Sequence, residues 1–114
     1  MRFFLEHGAD ADVHYDSYGL LLHDASWYGQ VDALHLLLQH NANVNARNNE
    51  NETPLHHASR MGQAEVAQLL LEHGALVNAQ CDDNMTPLYR ASGDGSLEVA
   101  RVLLGHGADV HIPG

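Results

Sequence analysis

Ten of the 114 residues are histidines, and a histidine imidazole is a common ligand of metal ions. Four of them recur at one constant spacing along the chain: His7, His40, His73 and His106. A ligand atom lies about 2 Å from its metal ion, whereas packed neighbouring helices lie about 8–10 Å apart. Histidines on successive stacked elements therefore cannot converge on one ion. His56 and His57 are adjacent on a predicted helix and point about 100° apart. The pattern predicts structural histidines, with no metal site and no cofactor.

Side chains suited to nucleophilic catalysis are also present, but their spacing is unsuitable. Ser26 follows His23 and Asp24 so closely that one short helix cannot aim the three at one another, as a triad requires. The single cysteine, Cys81, precedes two aspartates, and nearby negative charge disfavours its thiolate. The sequence contains no glycine-rich phosphate loop, no GxSxG motif and no HExxH motif. We predict that the protein is not an enzyme and that Cys81 is exposed and unreactive.

The charge balance argues against two classes of partner. The chain has 15 acidic and 5 basic residues, and its formal net charge is −10. Nucleic-acid binding requires clustered Lys and Arg, and an acidic membrane surface would repel this chain. The apolar run at residues 3–5 is too short for a signal peptide or a membrane span. With a single cysteine, the composition predicts a soluble cytoplasmic or nuclear protein that binds neither nucleic acid nor membranes.

The histidine spacing belongs to a repeat that covers nearly the whole chain. Similar sequence segments occur at residues 3–14, 36–47, 69–80 and 102–113, and TPLH at 53–56 recurs as TPLY at 86–89. The same spacing along the chain separates Gly29 from Gly62 and Gly62 from Gly95. A fixed period of about 33 residues without insertions is typical of a solenoid, in which similar supersecondary units stack on one another.

Each unit is predicted to contain two short helices joined by a turn. In the second unit Thr53 is predicted to be an N-cap, and Pro54 occupies the first helical position, where its missing N–H costs nothing. The second helix covers QAEVAQLLLEH, which has a broad apolar face, and it ends at Gly74. In the loops Asn51 and Asn84 are predicted to adopt positive φ.

With TPLHHAS, GQAEVAQLLLEHGA and VNA recurring at this fixed period, the sequence resembles the ankyrin-repeat family. The resemblance implies an all-α solenoid of helix–turn–helix units from which β-hairpin-like loops project. It divides a single domain of residues 1–114 into a partial repeat at 1–14 and three full repeats at 15–47, 48–80 and 81–114.

The sequence departs from the family pattern in the first helices of repeats 1 and 3. Leu20 and Leu21 stand where Thr and Pro are expected, and a lost cap costs about 1 kcal/mol. The first helix of repeat 1 should therefore start irregularly, unless Asp16 or Ser17 begins it earlier. Tyr89 replaces the histidine that normally makes a hydrogen bond to the loop in this family. Whether repeat 3 braces its loop through this position stays open from the sequence.

The resemblance also implies a modification. Asn45 and Asn78 stand in a VN context in the loops, where members of the family can be substrates of an asparaginyl hydroxylase. The alternative, which we favour, is that both side chains only brace the loops.

A solenoid without a catalytic cleft offers surface for binding. The resemblance implies that partners bind the concave face, which is formed by the hairpin tips and the first helix of each repeat. Positions that differ between the repeats of this sequence fall on these two elements, and they include residue types enriched at interfaces. The predicted partner-binding residues are Asp16, Ser17, Trp27, Tyr28, Asn49, Glu50, Glu52, Arg60, Met61, Asp82, Asp83, Met85 and Asp94.

These features predict a protein-binding scaffold whose acidic rim suits a partner with a basic surface or peptide. The alternative is a structural role, either as a segment of a longer ankyrin array or as a module that associates end to end. Apolar residues near both ends, such as Phe3 and Leu104, favour that alternative because an uncapped repeat exposes its apolar face.

The histidines also lead to a prediction about pH. They should reduce the net negative charge as the pH falls past about 6.5. Because the four spaced histidines are too far apart to repel one another strongly, no cooperative unfolding is expected between pH 6.5 and 5.5.

Overall fold

The computed structural model describes residues 17–93 and 96–110, and for residues 17–19 it describes the backbone alone. Three sequence predictions lie outside this part of the chain, namely the partial repeat at 1–14, Asp16 and Asp94. The side chain of Ser17 also lies outside it.

The described residues form six α-helices, and none of them is in a β-strand. The helices are α1 (Ser17–Tyr28), α2 (Val31–Gln39), α3 (Pro54–Arg60), α4 (Ala64–Glu72), α5 (Pro87–Gly93) and α6 (Leu97–Gly105). None of these six is long and apolar enough to span a bilayer. The pairs α1–α2, α3–α4 and α5–α6 each pack together, α1, α3 and α5 contact in series, and α2, α4 and α6 form a second layer. This arrangement confirms the predicted all-α stack of helix–turn–helix units.

The core lies between the two layers and repeats with the period of the sequence. Equivalent leucines of the second helices are completely buried: Leu37, Leu70 and Leu103. Equivalent alanines of the first helices are also buried: Ala25, Ala58 and Ala91. Each buried leucine stabilises the fold by roughly 1.5–3 kcal/mol, and the small alanines leave room for the first helices to approach one another.

Helix α3 begins as the sequence predicts. Thr53 has extended backbone angles, and its Oγ1 accepts the His56 N–H at 3.4 Å. The Thr53 N–H donates in return to His56 Nδ1 at 3.0 Å, so the two residues form a capping box in which histidine takes the role usually played by Glu or Gln. Pro54 follows at the first helical position. The cap therefore depends on His56 as well as on Thr53.

Helix α1 begins differently because the capping residues are missing. Leu20 and Leu21 occupy the positions that Thr53 and Pro54 hold one repeat later, and the helix already starts at Ser17. Of the two alternatives left open by the sequence, the structure therefore shows the earlier start. The helix is 12 residues long, whereas α3 has 7 residues. Leu20 lies within it on the surface.

The turn residues that adopt the left-handed conformation include Asn41, Asn51, Gly74 and Asn84. Asn51 and Asn84 have φ of 65° and 63°, which confirms the prediction from their loop positions. Gly74 ends α4 with φ of 93°, also as predicted. Asn41 stands one repeat earlier at the position of Gly74 and adopts φ of 64°. Asparagine tolerates this conformation better than other side chains do, so α2 ends in the same way without glycine.

Gly29 is expected to be intolerant of a side chain. Its φ is +70°, and an added Cβ would lie 2.5 Å from Oε1 of Gln63, whose Nε2 donates to Trp27 O at 3.4 Å. Backbone strain and displacement of Gln63 should together lower the free energy of unfolding of Gly29→Ala by roughly 1–3 kcal/mol, measured by chemical denaturation. Gly105→Ala is the control, because its Cβ would meet open space within α6. Equal losses in the two variants would contradict the prediction.

Candidate partner-binding face

The hairpin tips of repeats 2 and 3 are built in the same way. In repeat 2 the Asn48 N–H donates to Glu52 O at 3.0 Å, and in repeat 3 the Cys81 N–H donates to Met85 O at 3.1 Å. The Asp82 N–H donates to Glu50 O at 3.1 Å and joins the two tips. We use the name concave face for these tips, residues 48–52 and 81–85, together with helices α1, α3 and α5. The resemblance to ankyrin repeats implied this surface.

Exposed polar and acidic residues cover the outer part of the tips. Asn49, Glu50, Asp82 and Asp83 are exposed, whereas Met85 is half-buried. Because the backbone hydrogen bond from Asp82 to Glu50 joins the tips, the carboxylates of the two repeats belong to one strip of surface. The predicted acidic rim therefore has a structural basis in these three carboxylates.

Glu52 does not belong to that rim, which corrects the prediction from the sequence. It is only 2% exposed. Its Oε2 accepts hydrogen bonds from Arg60 Nη2 at 3.2 Å and Arg90 Nη2 at 2.8 Å. Its Oε1 accepts from Asn48 Nδ2 at 3.2 Å. The carboxylate turns inward because these donors replace the water that it would otherwise need.

The ionised form of Glu52 is favoured inside this cluster. Burial by itself raises the pKa of the carboxyl group. The hydrogen bond from Asn48 and the positive charges of Arg60 and Arg90 act in the opposite direction, and the pKa of Glu52 is lowered from its ordinary value. Glu52 therefore acts as an internal anion that connects repeat 2 to Arg90 of repeat 3.

Trp27 and Arg60 occupy the centre of the concave face, at equivalent positions of α1 and α3. The guanidinium carbon of Arg60 lies 5.8 Å from the centroid of the Trp27 ring, within the range of a cation–π contact. Trp27 is half-buried, and its ring also meets the ring of His57 edge to face at 5.3 Å. The next residues along the chain, Tyr28 and Met61, are exposed, and Tyr28 reaches 69%. The structure thus brings together Trp27 and Arg60, while the binding role of all four residues stays a prediction.

The part that His57 and Arg90 play in this face was not predicted from the sequence. Asn48 Nδ2 donates to His57 Nε2 at 3.3 Å, which requires that nitrogen to be unprotonated. Arg90 reaches back from α5 to Glu52 across one repeat. The equivalent positions of Asp24, His57 and Arg90 suggest a charge ladder, but His57 and Arg90 converge on the Glu52 cluster instead. The available signal was that two of the five arginines stand on first helices, and that Glu52 lies at the end of the loop directly before the first of these helices, α3.

Cys81 is buried, which corrects the prediction of an exposed thiol. It stands at the base of the repeat 3 tip, and its side chain is 3.9 Å from Arg90 Nη2. The two aspartates that follow it are exposed in the tip. Its position between the tip and α5 makes it part of the packing that supports the concave face.

Asn45 and Asn78 brace successive loops in the same manner. Asn45 Oδ1 accepts the Leu76 N–H at 2.8 Å, and its Nδ2 donates to Gly74 O at 3.3 Å. Asn78 Oδ1 accepts the Asp109 N–H at 2.8 Å. These contacts support the bracing role that we favoured from the sequence. Hydroxylation of either side chain stays a prediction.

Two adjacent histidines of α3 are held in the neutral form. His56 accepts from the Thr53 N–H through Nδ1, so its Nε2–H donates to Met85 O of the next repeat at 2.9 Å. Burial lowers the pKa of His56 below its ordinary value. Burial, reinforced by the nearby His23, lowers the pKa of His57 to about 4, although the Glu52 carboxylate opposes that change. Both imidazoles therefore resist protonation in the folded protein.

We expect these two histidines to make stability depend on pH. Well above pH 6.5 these imidazoles are neutral in both the folded and the unfolded state, and the stabilisation is complete. Between pH 6.5 and about 4 the His57 imidazole is protonated in a larger fraction of unfolded chains than of folded chains. Stability therefore falls on acidification. His57 alone should lower the free energy of unfolding by roughly 1–2 kcal/mol between pH 6.5 and 5.

Urea unfolding at several pH values measures this dependence. The matched variant is His57→Gln, which has no imidazole to titrate and should show a flatter profile. An unchanged slope in that variant would contradict the assignment to His57. The spaced histidines on which the sequence prediction rested are exposed where the structure describes them, at His40, His73 and His106.

Within residues 17–93 and 96–110, no three His, Cys, Asp or Glu side chains are grouped so that they could hold a metal ion. A comparison with curated proteins found no sequence that matches the chain. The family model described as "Ankyrin repeats (3 copies)" matches residues 22–113. That match includes all of the repeat 2 and repeat 3 positions that form the concave face, and the chain belongs to the ankyrin-repeat family.

Proposed function

We propose that this chain is a non-catalytic scaffold that binds another protein through its concave face. Ankyrin repeats are generally protein–protein interaction modules. The observation that carries the proposal is the contact of Trp27 with Arg60, next to the exposed side chains of Tyr28 and Met61. A centre of aromatic and arginine side chains with a charged rim is the usual anatomy of a protein interface.

The rim supports a partner with a basic surface or peptide. Glu50, Asp82 and Asp83 are exposed on adjoining tips, and the whole chain carries a formal charge of −10. Complementary charges at a rim steer association and fix orientation more than they strengthen affinity. The acidic composition and the single cysteine further support a cytoplasmic or nuclear location as part of the proposal.

A capture experiment tests the face. Immobilised wild-type chain should retain a protein from a cell lysate that the double variant Tyr28→Ala/Met61→Ala does not retain. Leu36→Ala is the matched control, because Leu36 is an exposed apolar residue on α2, in the other helix layer. A partner that binds all three proteins equally well would show that the concave face is not the binding surface.

End-to-end assembly, or membership in a longer array, is a second candidate that one observation favours. Leu104 of α6 is 48% exposed, whereas the equivalent Leu38 and Leu71 are 7% and 9% exposed beneath the following unit. Leu97 on the same helix is exposed as well. Sedimentation over a wide range of concentration tests self-association, which Leu104→Glu should abolish. A wild-type chain that stays monomeric throughout would exclude self-association of this surface.

A further inference from the structure

The centre of the concave face carries more positive charge than its single buried carboxylate can neutralise. Arg60 and Arg90 both donate through Nη2 to the same atom, Glu52 Oε2. The two guanidinium groups therefore lie close enough for one further carboxylate to bridge them. Two arginines and one glutamate leave this cluster with an excess of one positive charge, since Asn48 is neutral and His57 is held unprotonated.

Both arginines have donors to spare. A guanidinium group carries five N–H donors. Among the described residues, the Glu52 carboxylate is the one oxygen acceptor of either side chain, and each guanidinium group donates to it through Nη2 alone. The side chains of Arg60 and Arg90 are 31% and 18% exposed, so a partner can reach them. Planar guanidinium groups match a carboxylate with two parallel hydrogen bonds.

The surroundings of this cluster favour a peptide ligand. Trp27 lies against Arg60 on one side, and Met61 and Tyr89 are exposed residues that follow Arg60 and precede Arg90 along the chain. Apolar neighbours limit the access of water and thereby strengthen a charged hydrogen bond. At the tips, Glu50, Asp82 and Asp83 provide the opposite charge. The concave face is thus divided into a basic centre and an acidic rim.

We propose that the concave face binds a peptide segment that places an Asp or Glu side chain between Arg60 and Arg90, with an apolar residue beside it against Trp27. Basic residues elsewhere in the same segment lie along the acidic tips. This inference rests on the proposed function and names the partner's chemistry at its centre. It excludes a partner that is uniformly basic.

The alternative role of the two arginines is purely structural, namely to hold repeats 2 and 3 together through Glu52. The two roles make opposite predictions for Glu52→Gln. In a purely structural cluster, loss of the internal anion weakens binding or leaves it unchanged. In an anion-binding centre, the same change removes the internal competitor for the guanidinium groups and tightens the binding of an acidic peptide.

The test is a selection of random twelve-residue peptides displayed on phage, with the immobilised wild-type chain as the bait. The enriched peptides should contain an Asp or Glu beside an apolar residue, together with Lys or Arg. One synthetic peptide from this set is then titrated against four variants. Arg60→Gln and Arg90→Gln should each weaken its binding about tenfold, the size of one charged hydrogen bond.

The other two variants provide the contrast. Glu52→Gln should tighten the binding of this peptide by several-fold. Arg101→Gln, an exposed arginine on α6, removes the same charge far from the centre and should change the affinity little. A thermal unfolding curve shows whether each variant is folded. If Arg90→Gln does not fold, the affinity of Arg60→Gln decides the test.

Three outcomes would overturn the inference. The first is a set of enriched peptides without acidic residues. The second is that Arg60→Gln and Arg90→Gln weaken binding no more than Arg101→Gln does. The third is that Glu52→Gln does not tighten binding although its fold is intact. In all three cases the concave face still binds peptides, and the proposed function stands. If no peptide is enriched, or if Tyr28→Ala/Met61→Ala binds the selected peptide as wild type does, the proposed function fails as well.

Discussion

The variant His56→Ala is expected to lose about 3 kcal/mol of unfolding free energy, because the buried Thr53 N–H and the part-buried Met85 carbonyl lose their partners at a cost of about 1–3 kcal/mol each. His56 is 1% exposed. Its Nδ1 accepts the backbone N–H of Thr53, the N-cap residue of α3, and its Nε2–H donates to Met85 O of the next repeat. One side chain thus stabilises both the start of its own helix and the loop that follows.

Tyr89→Ala is the matched control for this prediction. Tyr89 stands at the equivalent position of repeat 3 but is 47% exposed. The Thr86 Oγ1 of that repeat accepts from the Tyr89 backbone N–H at 3.2 Å, a hydrogen bond that alanine preserves. Urea unfolding at pH 7.5 should give a change within about 1 kcal/mol for Tyr89→Ala. Equal losses in the two variants would show that the histidine hydrogen bonds contribute little.

Trp27→Ala is expected to weaken partner binding about 30-fold or more, since truncating a central aromatic residue often costs about 2 kcal/mol or more. The ring packs against Arg60 and leaves part of its surface exposed. Removing it takes away contact area and also leaves Arg60 without its cation–π contact. Isothermal titration with the captured partner, or with a selected peptide, measures the loss.

A rim charge should behave differently from the central tryptophan. Asp82→Asn removes one exposed carboxylate at a tip, so it should slow association moderately, mostly at low salt. The thermal unfolding of Trp27→Ala distinguishes a binding role from a packing role. If Trp27→Ala unfolds the stack and charge changes at the tips leave binding unaltered, Trp27 is a core residue and the proposed centre is wrong.

The Glu52 cluster connects the stability of the stack to the shape of its concave face. Arg90 belongs to repeat 3, whereas Glu52 and Arg60 belong to repeat 2, so the same carboxylate fixes the relative position of α3 and α5 and holds Arg60 over Trp27. A shift between these two repeats would therefore also alter the surface that a partner meets.

The sequence by itself determined the repeat, the helix pairs and most of their ends. Thr53 and Pro54 start α3, Gly74 ends α4, and Asn51 and Asn84 turn the loops, as predicted. Each of these features follows from residue types within a few positions, because capping and positive φ are governed by local sterics and local hydrogen bonds. The constant period of the sequence then dictates that these local units stack.

The tertiary structure alone decided which polar residues of the face are buried. A glutamate in a polar loop is normally exposed, because an unpaired buried charge is costly. Glu52 is buried because Arg90, 38 residues further along the chain, is brought to it by the stacking of α5 on α3. Likewise, Met85 O meets His56 from a position 29 residues away. Such pairings depend on how side chains meet between repeats, which the residue types within one repeat do not specify.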